Sequence, residues 1–186
     1  NTIELAGSDG GIYKSFDAGG TWSVISRFRE GITLFEVNPE NNFEIWAGNP
    51  RGQLFRSSNG GLNWKDISRS LNSFPKARDS KIIYYEPRSK TLYHGSGFGL
   101  LASSDKGETW TVLPILIPQE ALPVEAIAVS RYSNLKLYIG AGKQIYISED
   151  RGASWKVRTI EGRGIISEIL PDPKNPDTIF VGFGSK

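Results

Sequence analysis

Ser15-Phe-Asp-Ala-Gly-Gly-Thr-Trp22 is the first of four octapeptides of one design in this chain. The others are Ser57-Ser-Asn-Gly-Gly-Leu-Asn-Trp64, Ser103-Ser-Asp-Lys-Gly-Glu-Thr-Trp110 and Ser148-Glu-Asp-Arg-Gly-Ala-Ser-Trp155. Their tryptophans stand 42, 46 and 45 residues apart. A period of that size marks a repeat protein of four-stranded units rather than a single irregular core.

Working outward from the tryptophans, a glycine closes an apolar run upstream of each: Gly7, Gly48, Gly95 and Gly140, with Gly182 closing a fifth. The large position before it reads Leu5, Trp46, Tyr93, Tyr138 and Phe180. Each unit thus holds four short apolar runs, A to D, separated by turn residues, which is the spacing of antiparallel strands. A runs are expected at 32–37, 82–86, 124–129 and 165–170; B runs end at the glycines, C runs enter the octapeptide and D runs begin at its tryptophan. Proline or glycine interrupts nearly every window long enough for a helix, so almost no helix is expected.

The predicted fold is an all-β propeller of four-stranded antiparallel blades, about four repeats, in a single domain over 1–186. Its repeat units run approximately over 1–31, 32–80, 81–123 and 124–164, with a partial unit at 165–186. Counting gives four A, five B, four C and four D runs, an untidy set for a closed ring. The chain is therefore expected to be part of a larger propeller or to self-associate through strand edges, since unpaired edges invite pairing.

Within each octapeptide the chemistry of a tight turn is legible. Gly19, Gly61, Gly107 and Gly152 supply positive φ, and Asp17, Asn59, Asp105 and Asp150 can bond their own turn backbone. Ser15, Ser57, Ser103 and Ser148, with Thr21 and Thr109, can satisfy further backbone groups, while Trp22, Trp64, Trp110 and Trp155 bury large rings and keep an N–H for a partner. The aspartates could alternatively be catalytic or metal-binding carboxylates, but Asx residues dominate turns for a backbone reason, and turn staples are the expected role.

The pattern Ser-x-Asp-x-Gly-x-Thr-Trp resembles the Asp-box, or bacterial neuraminidase, repeat. Copies one and three match fully; copy two carries Asn59 and Asn63, and copy four carries Ser154. The resemblance implies a peripheral position for the repeat, away from an active site. It extends to propellers of photosystem II stability and assembly factors, sortilin-like receptors and xyloglucanase-type hydrolases, and implies an extracytoplasmic setting (secreted, periplasmic or lumenal). The arginine-containing Arg-Ile-Pro motif of sialidases is absent, as is an assignable Tyr/Glu nucleophile pair.

Composition narrows the function classes. The formal net charge is +2 over 186 residues, which gives no footprint of a dedicated nucleic-acid binder. Cysteine is absent, which removes disulfides, thiol nucleophiles and cysteine metal sites. No metal or cofactor is expected, and no run is apolar enough to span a membrane. Methionine is also absent and the chain opens on Asn1, as a processed or excised piece would.

Propeller ligands sit on the face carrying the B–C and D–A loops. There Arg27, Arg29, Arg51, Lys76, Arg78, Lys143 and Arg163 form the candidate ligand face, a cationic rim or simply a solvated loop surface. A glycoside hydrolase would need two carboxylates about 5–10 Å apart; Glu30 and Asp79 are the least poor candidates. His94, the one histidine, lacks evident companions for a metal site or triad and is expected to pack. The apolar loop Pro114–Pro123 either docks a partner or folds over a blade. The leading expectation is a non-catalytic scaffold for protein or glycan recognition. A glycoside hydrolase, or a fragment of one, and a structural subunit of an assembly are the alternatives.

Overall fold

The computed structural model describes residues 3–7, 9–133 and 135–185. Asn1, Thr2, Ser8, Asn134 and Lys186, which fall within the expected repeat units, lie outside the described residues. Among the described residues, seventeen strands and one short 3-10 turn, Ser68–Leu71, make up the regular structure. The first sheet has three antiparallel strands in the order β1 (Ile3–Ala6), β2 (Gly11–Ser15), β3 (Ser23–Arg27). Three four-stranded sheets follow: β4 to β7 (Leu34–Val37, Ile45–Gly48, Leu54–Ser57, Lys65–Asp66), β8 to β11 (Ser80–Glu86, Thr91–Ser96, Gly99–Ser103, Thr111–Val112) and β12 to β15 (Ala126–Val129, Leu137–Ala141, Gln144–Ser148, Lys156–Thr159). A two-stranded sheet, β16 (Ile165–Pro171) with β17 (Ile179–Gly184), ends the chain.

This is the architecture of a propeller of about four blades, with sequential up-and-down pairing in every sheet. The first sheet is B-C-D and the last is A-B, as the run count requires. D strands start one residue after the tryptophan, at Ser23, Lys65, Thr111 and Lys156, rather than on it. Two compact units are distinguished, Asn1–Arg69 and Ser70–Lys186.

In the second unit the core explains why some strands read as unbroken apolar runs. β12 buries both of its faces: Ile127 and Val129 join Tyr93, Leu137, Ile139 and Tyr146 in one cluster, and Ala126 and Ala128 join Tyr138, Ile145, Ile166 and Ile169 in another. Size is matched across the ladder, with Ala128 opposite Tyr138 and Ala126 opposite Gly140. Large rings fill the space left by small partners, which is how a close-packed interior avoids voids.

The first unit departs from the alignment on glycines. Ala6 pairs with Ile12 as Gly48 pairs with Leu54, so Gly7 takes the place of Asn49. Glu4 then faces Lys14 where the next blade has Trp46 facing Arg56. The result is a buried ion pair, Lys14 Nζ to Glu4 Oε1 at 2.6 Å, in place of the tryptophan. Leu5, the large apolar position of the glycine alignment, is 51% exposed. The 42-residue spacing of Trp22 and Trp64 carried this register, since it maps Ala6 onto Gly48.

The loop before β12 settles inward. Ile115 and Ile117 pack against the first cluster, Leu116 between them is 62% exposed, and the Trp155 indole N–H donates to the Pro114 carbonyl at 2.9 Å. Ile117→Ser is expected to lower unfolding free energy by about 1–3 kcal/mol through lost burial and a new polar group. Leu116→Ser should stay within about 0.5 kcal/mol of the parent. Urea denaturation of both variants checks this; equal losses would contradict the inward packing.

Candidate functional site

The octapeptides build their turns almost identically. Ser15, Ser103 and Ser148 donate through Oγ to Asp17, Asp105 and Asp150 Oδ1 at 2.7–2.8 Å, and Ser57 does so to Asn59 at 3.0 Å. The same hydroxyls accept from the Gly19, Gly61, Gly107 and Gly152 amides. The other carboxylate oxygen accepts the hydroxyl of Thr21, Thr109 or Ser154. Amide and hydroxyl donation from Thr21 holds Asp17 at a pKa of about 2, and the Ser154 hydroxyl and amide do the same for Asp150. Asp105 is also lowered: burial opposes the shift, and Thr109 and Ser103 outweigh it. Carboxylates so engaged have few lone pairs left for substrate or metal. Position x of Asp-x-Gly, which sequence reading passed over, is itself left-handed: Ala18, Lys106 and Arg151 have φ of 60°, 66° and 58°.

The tryptophans reach back along the chain. Trp64 shares its N–H between Ser26 Oγ, within β3, at 3.1 Å and its own Gly61 carbonyl at 2.9 Å, while Trp110 donates to Ser70 Oγ at 2.9 Å and Trp155 to the Pro114 carbonyl, both shortly after the preceding D strand ends. Trp22 turns to its own Gly19 carbonyl and is 40% exposed.

The cationic rim is largely neutralised. Arg27 pairs with Asp9, Arg51 with Glu30 and Lys76 with Glu120, and Arg78 donates to the Asn72 side chain. Arg29, Lys143 and Arg163 are exposed. The two candidate catalytic carboxylates are not brought together as a pair by any described contact: Glu30 lies in the first unit against Arg51, and Asp79 in the second against Lys81, 2.8 Å away.

What the second unit does assemble is a cavity of about 520 Å³ lined by Lys81, Leu122, Pro123, Glu125, Gly142, Ile165 and Ser185. Lys81 and Ile165 belong to A strands, Glu125 immediately precedes a third, and Gly142 is in the turn between β13 and β14. Lys81 is aimed by a β-bulge between Ser80 and Ile82, an irregularity that redirects one side chain. Burial raises the Glu125 carboxyl above its ordinary value, Asp79 adds to the rise and Lys81 opposes it. The Asp79 bond raises Lys81. Loop 76–80 behind the cavity is pinned by Asp79 N to Lys76 O, Gly97 N to Asp79 O and Ser80 Oγ to Ala77 O.

Behind that loop His94, 0% exposed, has a companion that sequence reading missed: its Nε2 lies 2.9 Å from Ser80 Oγ, with the Trp110 ring 5.5 Å away. Nδ1 is buried without a partner, so no third group orients the imidazole as a triad would need. Because Ser80 donates to Ala77, it accepts from Nε2–H, which leaves Nδ1 as the bare acceptor. Among the described residues no cluster of three or more His, Asp or Glu side chains could hold a metal ion. Among the described residues no helix is long and apolar enough to cross a membrane.

No family model matches the chain. It is 29% identical over 126 residues to an oligoxyloglucan-reducing end-specific xyloglucanase of Emericella nidulans, covering 59% of this chain and 15% of that protein. It is 25% identical over 220 aligned positions to the xyloglucanase Xgh74A of Acetivibrio thermocellus, covering 92% and 26%. Among solved structures, an ancestral GH74 enzyme superposes with a TM-score of 0.70 at 18% identity (98% of this chain, 29% of that one). YCF48 bound to D1 peptide superposes at 0.75 with 17% identity (97% and 56%). The chain spans between about a seventh and a quarter of these curated relatives. It is a β-propeller related in sequence to xyloglucanases.

Burial lowers the His94 pKa to about 4 from 6.5. A base with a depressed folded pKa takes up protons preferentially when unfolded, so its stability contribution is full above pH 6.5 and declines as pH falls toward 4. Unfolding free energy is expected to drop by about 2 kcal/mol between pH 7 and pH 5 from this group. Asp17 and Asp150 have depressed carboxyl pKa values, so their loss falls at lower pH, from about 4 downward. Urea titrations at the two pH values on the parent and His94→Gln check this; an unchanged pH difference in the variant would contradict it.

Proposed function

We propose that this chain is a non-catalytic propeller scaffold, a single domain of Asp-box blades, that recognises a protein segment or a glycan in an extracytoplasmic setting. One observation carries the reading: the cavity at the A-strand entries offers a half-buried carboxylate, Glu125, beside an ion pair that already occupies Asp79. An acid and a base flanking a shared space would be needed for glycoside hydrolysis. Here Glu30 and Asp79 each face a cation instead.

Two comparisons support recognition from different sides. The relatives by sequence are named for oligosaccharide or polysaccharide cleavage, and a structurally similar propeller is described with a bound peptide. The octapeptides serve as turn staples at the rim, and the loops on the other side of each blade carry the binding groups.

A second reading is favoured by one specific feature. Besides burial, the neighbouring Asp79 raises the Glu125 carboxyl, and a carboxyl raised beside a second carboxylate is one element of an acid–base pair. Incubation with xyloglucan oligosaccharides, followed by assay of new reducing ends and by a binding titration, separates the two. No release of reducing ends is expected, with or without binding of the oligosaccharide. Release that is abolished by Glu125→Gln would overturn the scaffold reading in favour of hydrolysis.

A further inference from the structure

Glu125 is the group that the cavity leaves unanswered. Among the described residues its carboxylate has no hydrogen-bond or ion-pair partner, whereas Lys81 is held by Asp79 at 2.8 Å. With that pair neutralised, the cavity's remaining charge is a single negative one. Its other walls are Leu122, Pro123 and Ile165, which are apolar, with Gly142 adding bare backbone and Ser185 a neutral hydroxyl.

A ligand that complements this lining carries one positive charge at the end of an aliphatic stem. The stem covers the Leu122, Pro123 and Ile165 surfaces, and the ammonium donates to Glu125. A carboxylate with a raised pKa gains most from such a partner, since the cation replaces the water that burial removed. A neutral sugar ring fits less well, because its flat apolar faces call for an aromatic platform and no aromatic side chain lines this cavity. An anionic ligand would meet Glu125 directly.

The geometry points to a lysine-type primary ammonium, presented by an extended protein segment, as the ligand of this cavity, with Glu125 as its counter-ion. This inference rests on the recognition reading and narrows it to a protein partner. Leu122 is exposed and leads into the apolar loop from Pro114, so a bound segment has surface to run along on either side of the inserted side chain.

The probe is an N-acetylated, C-amidated pentapeptide with one lysine among glycines, titrated into the ¹⁵N-labelled protein at neutral pH and low salt. Shifts are expected at the amides of Lys81, Glu125, Gly142 and Ile165. Acetylation of the peptide's lysine, which removes the charge and keeps the stem, should weaken binding by about tenfold or more, and Glu125→Gln should do the same. Equal binding of the acetylated peptide, or an unaffected Glu125→Gln, would overturn the assignment. A xyloglucan oligosaccharide run in parallel distinguishes the two levels. If it shifts these amides while the lysine peptide is silent, the ammonium inference fails and recognition stands; silence of both overturns both.

Discussion

The indole N–H of each repeat tryptophan needs an acceptor, and in three of the four repeats an acceptor lies 38 to 41 residues earlier in the chain, shared at Trp64 with its own Gly61 carbonyl. A buried N–H without a partner costs the full desolvation of the group, so the bond constrains where each turn sits against the preceding D strand or the residues just after it. Everything else in a blade hangs from that placement. The serine and aspartate of the octapeptide close the turn locally, the turn fixes the C–D register, and the C strand fixes B and A behind it. Gly61 and Gly152 show how tight the placement is. A Cβ at either would fall within 3 Å of Ile25 or Leu113, side chains of the preceding D region.

Most of the fold was legible because each of these devices has a fixed sequence spacing. The strand inventory followed from the glycines and the tryptophans, and the absence of helices followed from the breakers. The errors were errors of register. Gly7 looked equivalent to Gly48, yet a glycine is needed only where the backbone demands it, and Ala6 serves as well as Gly48 beneath Ile12 and Leu54. The Glu4–Lys14 pair, two charges where the next blade has Trp46 and Arg56, could not be recognised until the offset was right.

The site was far less legible, for a physical reason. Glu125 is an unremarkable acid in the sequence, between Val124 and Ala126, and only the meeting of the entries of three A strands puts it beside Lys81 and Ile165. The bulge at Lys81 has no sequence signature here, because no glycine marks it. Charged loops also misled in the opposite sense. Arg27, Arg51 and Lys76 read as a cationic rim, but their partners Asp9, Glu30 and Glu120 stand 18, 21 and 44 residues away in sequence. His94 needed the fold as well, since Ser80 is fourteen residues away.

Hydrogen exchange of the indole N–H protons tests the tryptophan constraint most directly. In ¹H–¹⁵N spectra under native conditions, slow exchange is expected for Trp110, which is only 8% exposed and bonded to Ser70, and protection is expected for Trp64 and Trp155. Trp22, bonded within its own turn and 40% exposed, should exchange much faster. Equal, rapid exchange of all four would show that the indole bonds do not hold the repeats in place.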